Sequence, residues 1–255
     1  MNDQKVNIAS DERIDEVNEK IRLIQKKGGL TFGTDAYMLA AFIRPEPRSR
    51  GAELGSGSGI VSLLCAARGK LAQIHALEIQ PPLAELGERN ITLNSFDDKI
   101  IQHLTDIRSV KPNDLCGEVD VVFSNPPYMR SGHGKRCELD IKNIARHEEE
   151  GDIYDFCAAA ARLLRYGGKF YTVWRPDRLP DLIDAMRQHR LEPKRMTFIH
   201  PDTDTPPAIV LTEARLGGSP SLNITAPLIL YRDPPAVTPR TLTDRALQVY
   251  ETCSL

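Results

Sequence analysis

Several features of membrane, secreted and metal-binding proteins are missing from this sequence. Its apolar runs are short, and the longest, which includes residues 37–43, falls well below the roughly 20 residues that a membrane span needs. The first residues lack the basic-then-apolar order of a signal peptide, so we expect a cytoplasmic protein. The five cysteines form no CxxC pair, so neither a disulfide framework nor a zinc site is predicted.

A strong excess of charge of one sign is missing as well. The 33 basic and 35 acidic residues leave a net charge of −2, which excludes a generally basic nucleic-acid coat but not a local basic face. With 41% apolar residues among 255, the chain can bury a sizeable core, so a largely disordered protein is excluded. Composition therefore indicates a globular protein and says nothing about its activity.

Strands alternate with helices from about residue 50, which predicts an α/β fold with a parallel sheet and helices on both faces. The five predicted strands contain the segments GAEL, QIHALEI, IIQHLTD, EVDVVFSN and KFYTVWR. Before them, apolar residues at helical spacing predict an amphipathic helix within residues 1–30, and a second helix spans residues 34–43. Near the end, the segments RMTFIHP, AIVLTEAR and LNITAPLILYR are predicted to be antiparallel strands.

A glycine-rich turn lies directly between the first of these strands and the helix that follows it. Glu53 opens the turn, and Gly55, Gly57 and Gly59 follow at alternate positions. Glycines there permit positive φ angles and bring bare backbone against a ligand, and the helix N-terminus favours a negative group. Ile60 stands where the dinucleotide pattern GxGxxG needs its third glycine. The spacing is instead that of S-adenosylmethionine sites.

Acidic residues end the next two predicted strands. Glu78 lies 19 residues past Gly59, where a carboxylate would accept both hydroxyls of a ribose, and Asp106 lies where such sites read the adenine ring. An ordinary turn and two strand-end caps are the alternative. Because the carboxyl ends of parallel strands form the ligand crevice of such sheets, the combination favours a nucleotide-like ligand.

The tetrapeptide Asn125, Pro126, Pro127 and Tyr128 follows the fourth strand, at the same edge of the predicted sheet. These residue types suit methylation of a planar amino nitrogen, whose delocalised lone pair attacks a methyl group poorly. The Asn125 side-chain carbonyl and the Pro126 backbone carbonyl can accept its two N–H groups and stabilise the developing positive charge. The prolines stiffen the turn, and Tyr128 offers a flat face for stacking on the target. The alternative is a common structural turn with a core tyrosine.

Two basic stretches are candidate substrate contacts. Residues 130–146 predict a flexible loop beside the pocket whose cations could bind phosphate, and a solvated loop is the alternative. Its predicted substrate-binding residues are Arg130, Lys135 and Arg136. The second stretch, within residues 187–195, could equally be an exposed helix end, where cations suit the helix dipole.

Together, the glycine turn, Glu78, Asp106 and residues 125–128 resemble those of class I amino-methyltransferases. Residues 24–43 resemble closely the bacterial tRNA1(Val) adenine-37 N6-methyltransferase family, and the similarity extends from about residue 12 to about residue 232. The resemblance implies a Rossmann-like domain with a mixed seven-stranded sheet whose last strand is antiparallel. It implies formation of N6-methyladenosine in tRNA, S-adenosylmethionine as cofactor, and residues 125–128 as catalytic. It also implies that Phe32, Gly33, Thr34 and Asn125 contact the cofactor.

The predicted organisation has three segments, and other functions stay open. Residues 1–44 are a helical extension packing on the cofactor side, residues 45–233 the methyltransferase domain, and residues 234–255 a C-terminal tail. N5-methylation of a protein glutamine is an alternative, because the same acceptors serve a carboxamide. A second is an RNA-binding module that binds S-adenosylmethionine without catalysis. No metal is expected, since the acidic run at residues 147–150 lacks HExxH spacing, and the oligomeric state stays open.

Overall fold

The computed structural model describes residues 6–28, 33–127 and 151–255 of the chain. A hairpin of β1 (Glu12–Asn18) and β2 (Ile21–Lys26) comes first. The strands of the main sheet are β3 (Glu46–Leu54), β4 (Leu71–Glu78), β5 (Ile100–Leu104), β6 (Val119–Ser124), β7 (Leu164–Trp174), β8 (Leu191–His200), β9 (Ile209–Leu216), β10 (Asn223–Ile224) and β11 (Leu228–Ile229). The helices are α1 (Thr34–Phe42), α2 (Ile60–Ala67), α3 (Pro81–Leu93), α4 (Ile153–Leu163), α5 (Leu179–Gln188) and α6 (Asp244–Thr252).

The main sheet is mixed, as predicted, and its strands follow the order β5-β4-β3-β6-β7-β9-β8, with β10 and β11 pairing along the far edge of β8. Strands β3 to β7 pair in parallel, whereas β9 lies antiparallel between β7 and β8. The α/β fold class and the five predicted parallel strands are confirmed. The described sheet has nine strands rather than seven because β10 and β11 add two short pieces.

The prediction of three antiparallel strands near the end is confirmed for β8 and β9, which pair antiparallel, and is wrong for the third segment. The chain crosses from β7 to β8 through α5, and the short return loop after β8 makes β9 antiparallel to both of its neighbours. The segment LNITAPLILYR supplies only two-residue strands that pair in parallel with β8. Pro227 lies between them, and its missing N–H removes one ladder hydrogen bond.

The amphipathic helix predicted before Gly28 is also wrong, because these residues form the β1–β2 hairpin. Ile14 and Ile24, which share a helical spacing, are paired across the two strands instead. The Asn18 side chain makes the turn by accepting hydrogen bonds from the backbone N–H groups of Lys20 at 2.9 Å and Ile21 at 3.1 Å. The second predicted helix is confirmed as α1.

Two asparagines of α3 hold the hairpin against the domain. The Asn94 amide accepts the Arg22 N–H at 2.9 Å and donates to the Arg22 carbonyl at 2.7 Å. The fully buried Asn90 does the same for Ile24, at 2.7 and 3.3 Å, and also donates to the Ser58 carbonyl at 3.0 Å. Two side-chain amides thus take the place of a third strand beside β2, and one of them reaches the glycine-rich turn.

The core has one part on each face of the sheet. One face is covered by α1, α2, α3 and α6 and by buried residues of β2, and the other by α4 and α5. In α6, Ala246 and Val249 pack into the same core as α1, so the C-terminal segment is part of the folded domain. No helix in the described part of the chain is long and apolar enough to cross a membrane.

The buried Lys70 fixes the direction of α1. Its ammonium group donates to the carbonyls of Ala40 at 2.7 Å, Ala41 at 3.3 Å and Ile43 at 2.6 Å. Lys70 directly precedes β4, so the C-terminal end of α1 lies at the amino ends of the strands. The N-terminal end of α1 therefore points towards the edge where the strands end.

We expect Lys70→Met to destabilise the protein, because it leaves three buried carbonyls without their cation. The free energy of unfolding should fall by roughly 3 kcal/mol in urea titrations. Lys20→Met, at an exposed position of the hairpin turn, is the matched control and should change it by less than about 0.5 kcal/mol. Equal effects of the two substitutions would contradict the role of Lys70 as a helix cap.

Candidate active site

The register of the parallel strands brings the predicted site residues to one edge of the sheet. Leu54 at the end of β3 pairs with Leu77 in β4 and with Ser124 at the end of β6. Glu78, the last residue of β4, pairs with Leu104 at the end of β5. Since neighbouring strands lie about 4.8 Å apart, the turns that follow these strands line a single crevice.

The glycine-rich turn has the backbone that its sequence predicts. Gly55, Gly57 and Gly59 have φ angles of +68°, +55° and +82°, in the left-handed region that favours glycine. A Cβ added to Gly55 would lie 3.4 Å from the Phe156 ring, whereas one added to Gly57 would meet nothing within 4 Å. The turn therefore rests on α4 and leaves the outer face of Gly57 open to a ligand.

Glu78 holds this turn in place. One carboxylate oxygen accepts the Gly57 N–H at 2.8 Å and the other accepts the Gln80 N–H at 2.9 Å, and the side chain is 4% exposed. A carboxylate oxygen can accept more than one hydrogen bond, which is the chemistry that ribose hydroxyls require of a partner. Its predicted role at the ribose is compatible with this geometry and stays a prediction.

Glu53 is buried beneath the turn. One of its oxygens accepts the Ser62 N–H at 3.0 Å and a short hydrogen bond from the Ser62 hydroxyl at the start of α2. Burial, reinforced by the nearby charge of Glu78, raises the pKa of Glu53 to about 8 despite these bonds. At neutral pH the carboxyl is therefore mostly protonated, and a cationic group nearby would favour its ionised form.

Asp106, two residues past the end of β5, is held by a neighbouring cation. The Arg108 guanidinium donates to both carboxylate oxygens at 2.7 to 3.0 Å, and the Arg108 N–H adds a bond of 2.8 Å. These hydrogen bonds hold the pKa of Asp106 below its usual value. Its predicted role as an adenine acceptor stays a prediction, and the bound guanidinium is a neighbour that sequence reasoning missed.

Asn125 begins the turn after β6, directly beside the start of the glycine turn. The Ser124 hydroxyl donates to the Leu54 carbonyl at 2.7 Å, which fastens the ends of β3 and β6 together. Asn125 is half-buried, Pro126 is buried and Pro127 is half-buried. The catalytic and cofactor roles of these residues stay predictions.

Several predicted site residues lie outside the described residues. They are Phe32 of the cofactor set, and Tyr128, Arg130, Lys135 and Arg136 of the catalytic and substrate sets. Gly33 and Thr34 are described and exposed at the N-terminal end of α1, which points towards the carboxyl edge of the sheet. The Tyr37 hydroxyl of α1 donates a short hydrogen bond to the Tyr250 carbonyl, which ties this helix to α6.

These residues fit S-adenosylmethionine, which combines a ribose and an adenine with two cationic groups. Glu78 offers ribose acceptors, Gly57 an open backbone face, and Glu53 a carboxyl that a cation would ionise. Strand order and site together define a class I methyltransferase, a class whose methyl donor is S-adenosylmethionine. Within residues 6–28, 33–127 and 151–255, no group of three or more His, Cys, Asp and Glu side chains could hold a metal ion.

Comparison with known proteins agrees with this class. The chain belongs to the methyltransferase small domain family, whose model matches residues 27–189. A solved structure from Agrobacterium tumefaciens, described as a predicted O-methyltransferase, has a TM-score of 0.66 and 22% identity, and covers 87% of this chain and 97% of its own. At that identity the likeness shows the fold alone.

Curated relatives share most of the chain. A tRNA1(Val) (adenine(37)-N6)-methyltransferase from Phocaeicola vulgatus is 31% identical over 70% of this chain and 74% of its own. One from Parabacteroides distasonis is 27% identical over 76% of this chain and 81% of its own. The family resemblance predicted from the sequence is confirmed.

Glu78→Gln tests whether both carboxylate oxygens are needed. An amide can accept only one of the two backbone hydrogen bonds and turns a donor towards the other N–H, so the turn should be held less firmly. We expect the Kd of S-adenosylhomocysteine to rise at least about tenfold in calorimetric titration. Glu85→Gln on the exposed side of α3 is the control, and an unchanged Kd for Glu78→Gln would remove Glu78 from the site.

The raised pKa of Glu53 predicts a pH-dependent affinity for the cofactor. Below about pH 8 the free carboxyl holds a proton that a bound ammonium group would displace, so binding releases a proton and strengthens as the pH rises. The affinity for S-adenosylhomocysteine should increase by up to about tenfold per pH unit between pH 6 and 8 and then level off. Glu53→Gln should abolish this slope, and a flat wild-type profile would contradict the prediction.

Proposed function

We propose that this protein transfers a methyl group from S-adenosylmethionine to the exocyclic N6 of an adenine in structured RNA, with tRNA as the favoured substrate. The observation that carries the proposal is the pairing of Leu54 with Ser124, because it sets Gly55 and Asn125 side by side where two strands end. A donor lying on the glycine turn and an amino group held by Asn125 would then meet in one crevice.

The proposed chemistry needs two oxygen acceptors and no general base. S-adenosylmethionine supplies an electrophilic methyl group, and the chain supplies the orientation of the amino nitrogen. The Asn125 side-chain carbonyl accepts one N–H and the Pro126 backbone carbonyl accepts the other, which favours a tetrahedral nitrogen and stabilises its developing charge. The N–H becomes acidic as the new bond forms, so water can take the proton.

The choice of adenine in tRNA rests on the relatives rather than on the site. Both relatives described above are named for N6-methylation of adenine 37 in tRNA1(Val), and each matches more than two thirds of this chain. A tRNA substrate also favours a cytoplasmic enzyme. The predicted phosphate contacts of Arg130, Lys135 and Arg136 belong to the same proposal.

Methylation of a protein glutamine is the second candidate, because Asn125 and Pro126 could accept the two N–H groups of a carboxamide equally well. The two are separated by incubating the protein with labelled S-adenosylmethionine and, separately, tRNA, ribosomal RNA, DNA or a release factor. Label at adenine N6 of tRNA is the expected result. Label on the release factor alone would replace the proposal by the second candidate.

Asn125→Ala should abolish methyl transfer while sparing the donor site. Loss of one of two charge-stabilising acceptors should lower kcat at least about 100-fold. The Kd of S-adenosylhomocysteine should stay within a few-fold, because the turn and Glu78 are unchanged. Asn113→Ala, at an exposed position before β6, is the control. Full activity of Asn125→Ala would contradict the proposed chemistry.

A further inference from the structure

An exposed tyrosine lies at the end of the sheet opposite the candidate active site. Tyr166, near the start of β7, is 72% exposed, although contacts with the backbone fix the position of its ring. Its hydroxyl donates to the Gly217 carbonyl at 3.2 Å, just past the end of β9. One face of the ring is held against the backbone, and the residue is otherwise open to solvent.

Two adjacent glycines, Gly217 and Gly218, lie beneath Tyr166 and a neighbouring lysine side chain. A Cβ added to Gly217, whose φ is +68°, would lie 2.3 Å from the Tyr166 ring, so only glycine lets the ring lie this close. A Cβ added to Gly218 would lie 3.0 Å from the last methylene of Lys194. The two glycines thus allow the Tyr166 ring and the methylene chain of Lys194 to pack closely against adjacent backbone positions.

Several basic side chains lie near Gly217 and Gly218. In the described part of the chain, Arg190, Lys194 and Arg215 form no ion pair with a carboxylate. Arg187 is paired with Glu192 at 3.0 Å, and these two residues line a shallow cavity of about 310 Å³ with Arg190 and the two glycines. A local excess of positive charge therefore stands out in a chain whose net charge is −2.

We propose that this surface, which we call the Tyr166 platform (Tyr166, Arg190, Lys194, Arg215, Gly217 and Gly218), binds the phosphate backbone and an unpaired base of the RNA substrate. The inference rests on the proposed function and adds a second contact region to it. Flat aromatic rings beside unpaired cations suit nucleic acid, because bases stack on the ring while phosphates meet the cations. An acidic protein segment would use the cations and leave the ring without a role.

The position of the platform decides which part of the RNA it contacts. Tyr166 lies in the irregular part of β7 that precedes Lys169, and the five residues from Lys169 to Trp174 alone correspond to about 16 Å at the rise of a strand. Trp174 is near the end of β7, where Thr172 pairs with Ser124, next to Asn125. The platform therefore contacts a part of the folded RNA distant from the methylated adenine.

The charge contribution is tested by Lys194→Gln with Arg215→Gln in the full chain. Binding of an unmodified tRNA transcript and of a short stem-loop carrying the target adenine is measured without methyl donor, across roughly 50 to 200 mM salt. For the whole tRNA, affinity should fall and the slope of log K against log salt should decrease by about 2. The stem-loop should bind both proteins equally. Lys20→Gln with Arg245→Gln, which removes the same charge elsewhere, is the matched control.

The ring contribution is tested by two substitutions of Tyr166. Tyr166→Ala should weaken binding of the whole tRNA by about 5- to 100-fold, in the range of a lost stacking contact. Tyr166→Phe keeps the ring and should bind as the unchanged protein does. Thermal melts identify any variant that fails to fold. If Tyr166→Ala does so, the tRNA affinity of Tyr166→Phe is compared with that of Tyr166→Leu, which is apolar but has no ring.

Three outcomes overturn the platform: no tRNA binding by the unchanged protein, unchanged tRNA affinity in the charge and ring variants, or equal losses for tRNA and stem-loop. Unchanged tRNA affinity would point to a protein partner at this surface. If tRNA binding follows the expected pattern but no adenine is methylated, the proposed function fails and the platform stands.

Discussion

The parallel pairing of β3 with β4 on one side and β6 on the other is the constraint on which the site depends. The paired ends of these strands set the glycine turn between Glu78 and Asn125. A slip of one residue in either pair would send Glu53 or Ser124 to the opposite face of the sheet. The bond from the Ser124 hydroxyl to the Leu54 carbonyl opposes such a slip where the chemistry would take place.

The glycine turn gains its rigidity from both sides. Glu78 binds the N–H of Gly57, and Asn90 binds the carbonyl of Ser58 while also holding β2. The hairpin is therefore connected to the turn through a single buried amide. Along the chain, the residues predicted to contact the cofactor, 32–34, follow the end of β2 by only six to eight positions, and β2 is itself attached to the cofactor turn. Such preorganisation reduces the entropy lost when a ligand binds.

Sequence reasoning succeeded where the signal is local and failed where a distant partner decides. The glycine turn and the acids at strand ends are short patterns, and the structure brings them to one edge. The hairpin fits a helical period at Ile14 and Ile24, whereas pairing between the two strands and the hydrogen bonds of the α3 asparagines, both contacts between distant residues, favour the strand form. The sequence does not show that Lys70 caps α1, a helix that ends some 30 residues before it. The contact forms only when β4 has joined the sheet.

A chain with nearly balanced charge must bind a polyanion through local surfaces rather than through a general field. Many basic groups here are neutralised by neighbours, as Arg108 is by Asp106 and Arg195 by Glu213. At the Tyr166 platform three cations without a carboxylate partner among the described residues lie close together, at the opposite end of β7 from Asn125. Because the two contact regions lie at opposite ends of a strand, an RNA must have a suitable fold to bind both of them, so its shape is recognised as well as its sequence. One adenine among many can then be selected without extensive contacts to base edges at the crevice, because an RNA that cannot contact both the crevice and the Tyr166 platform binds with lower affinity.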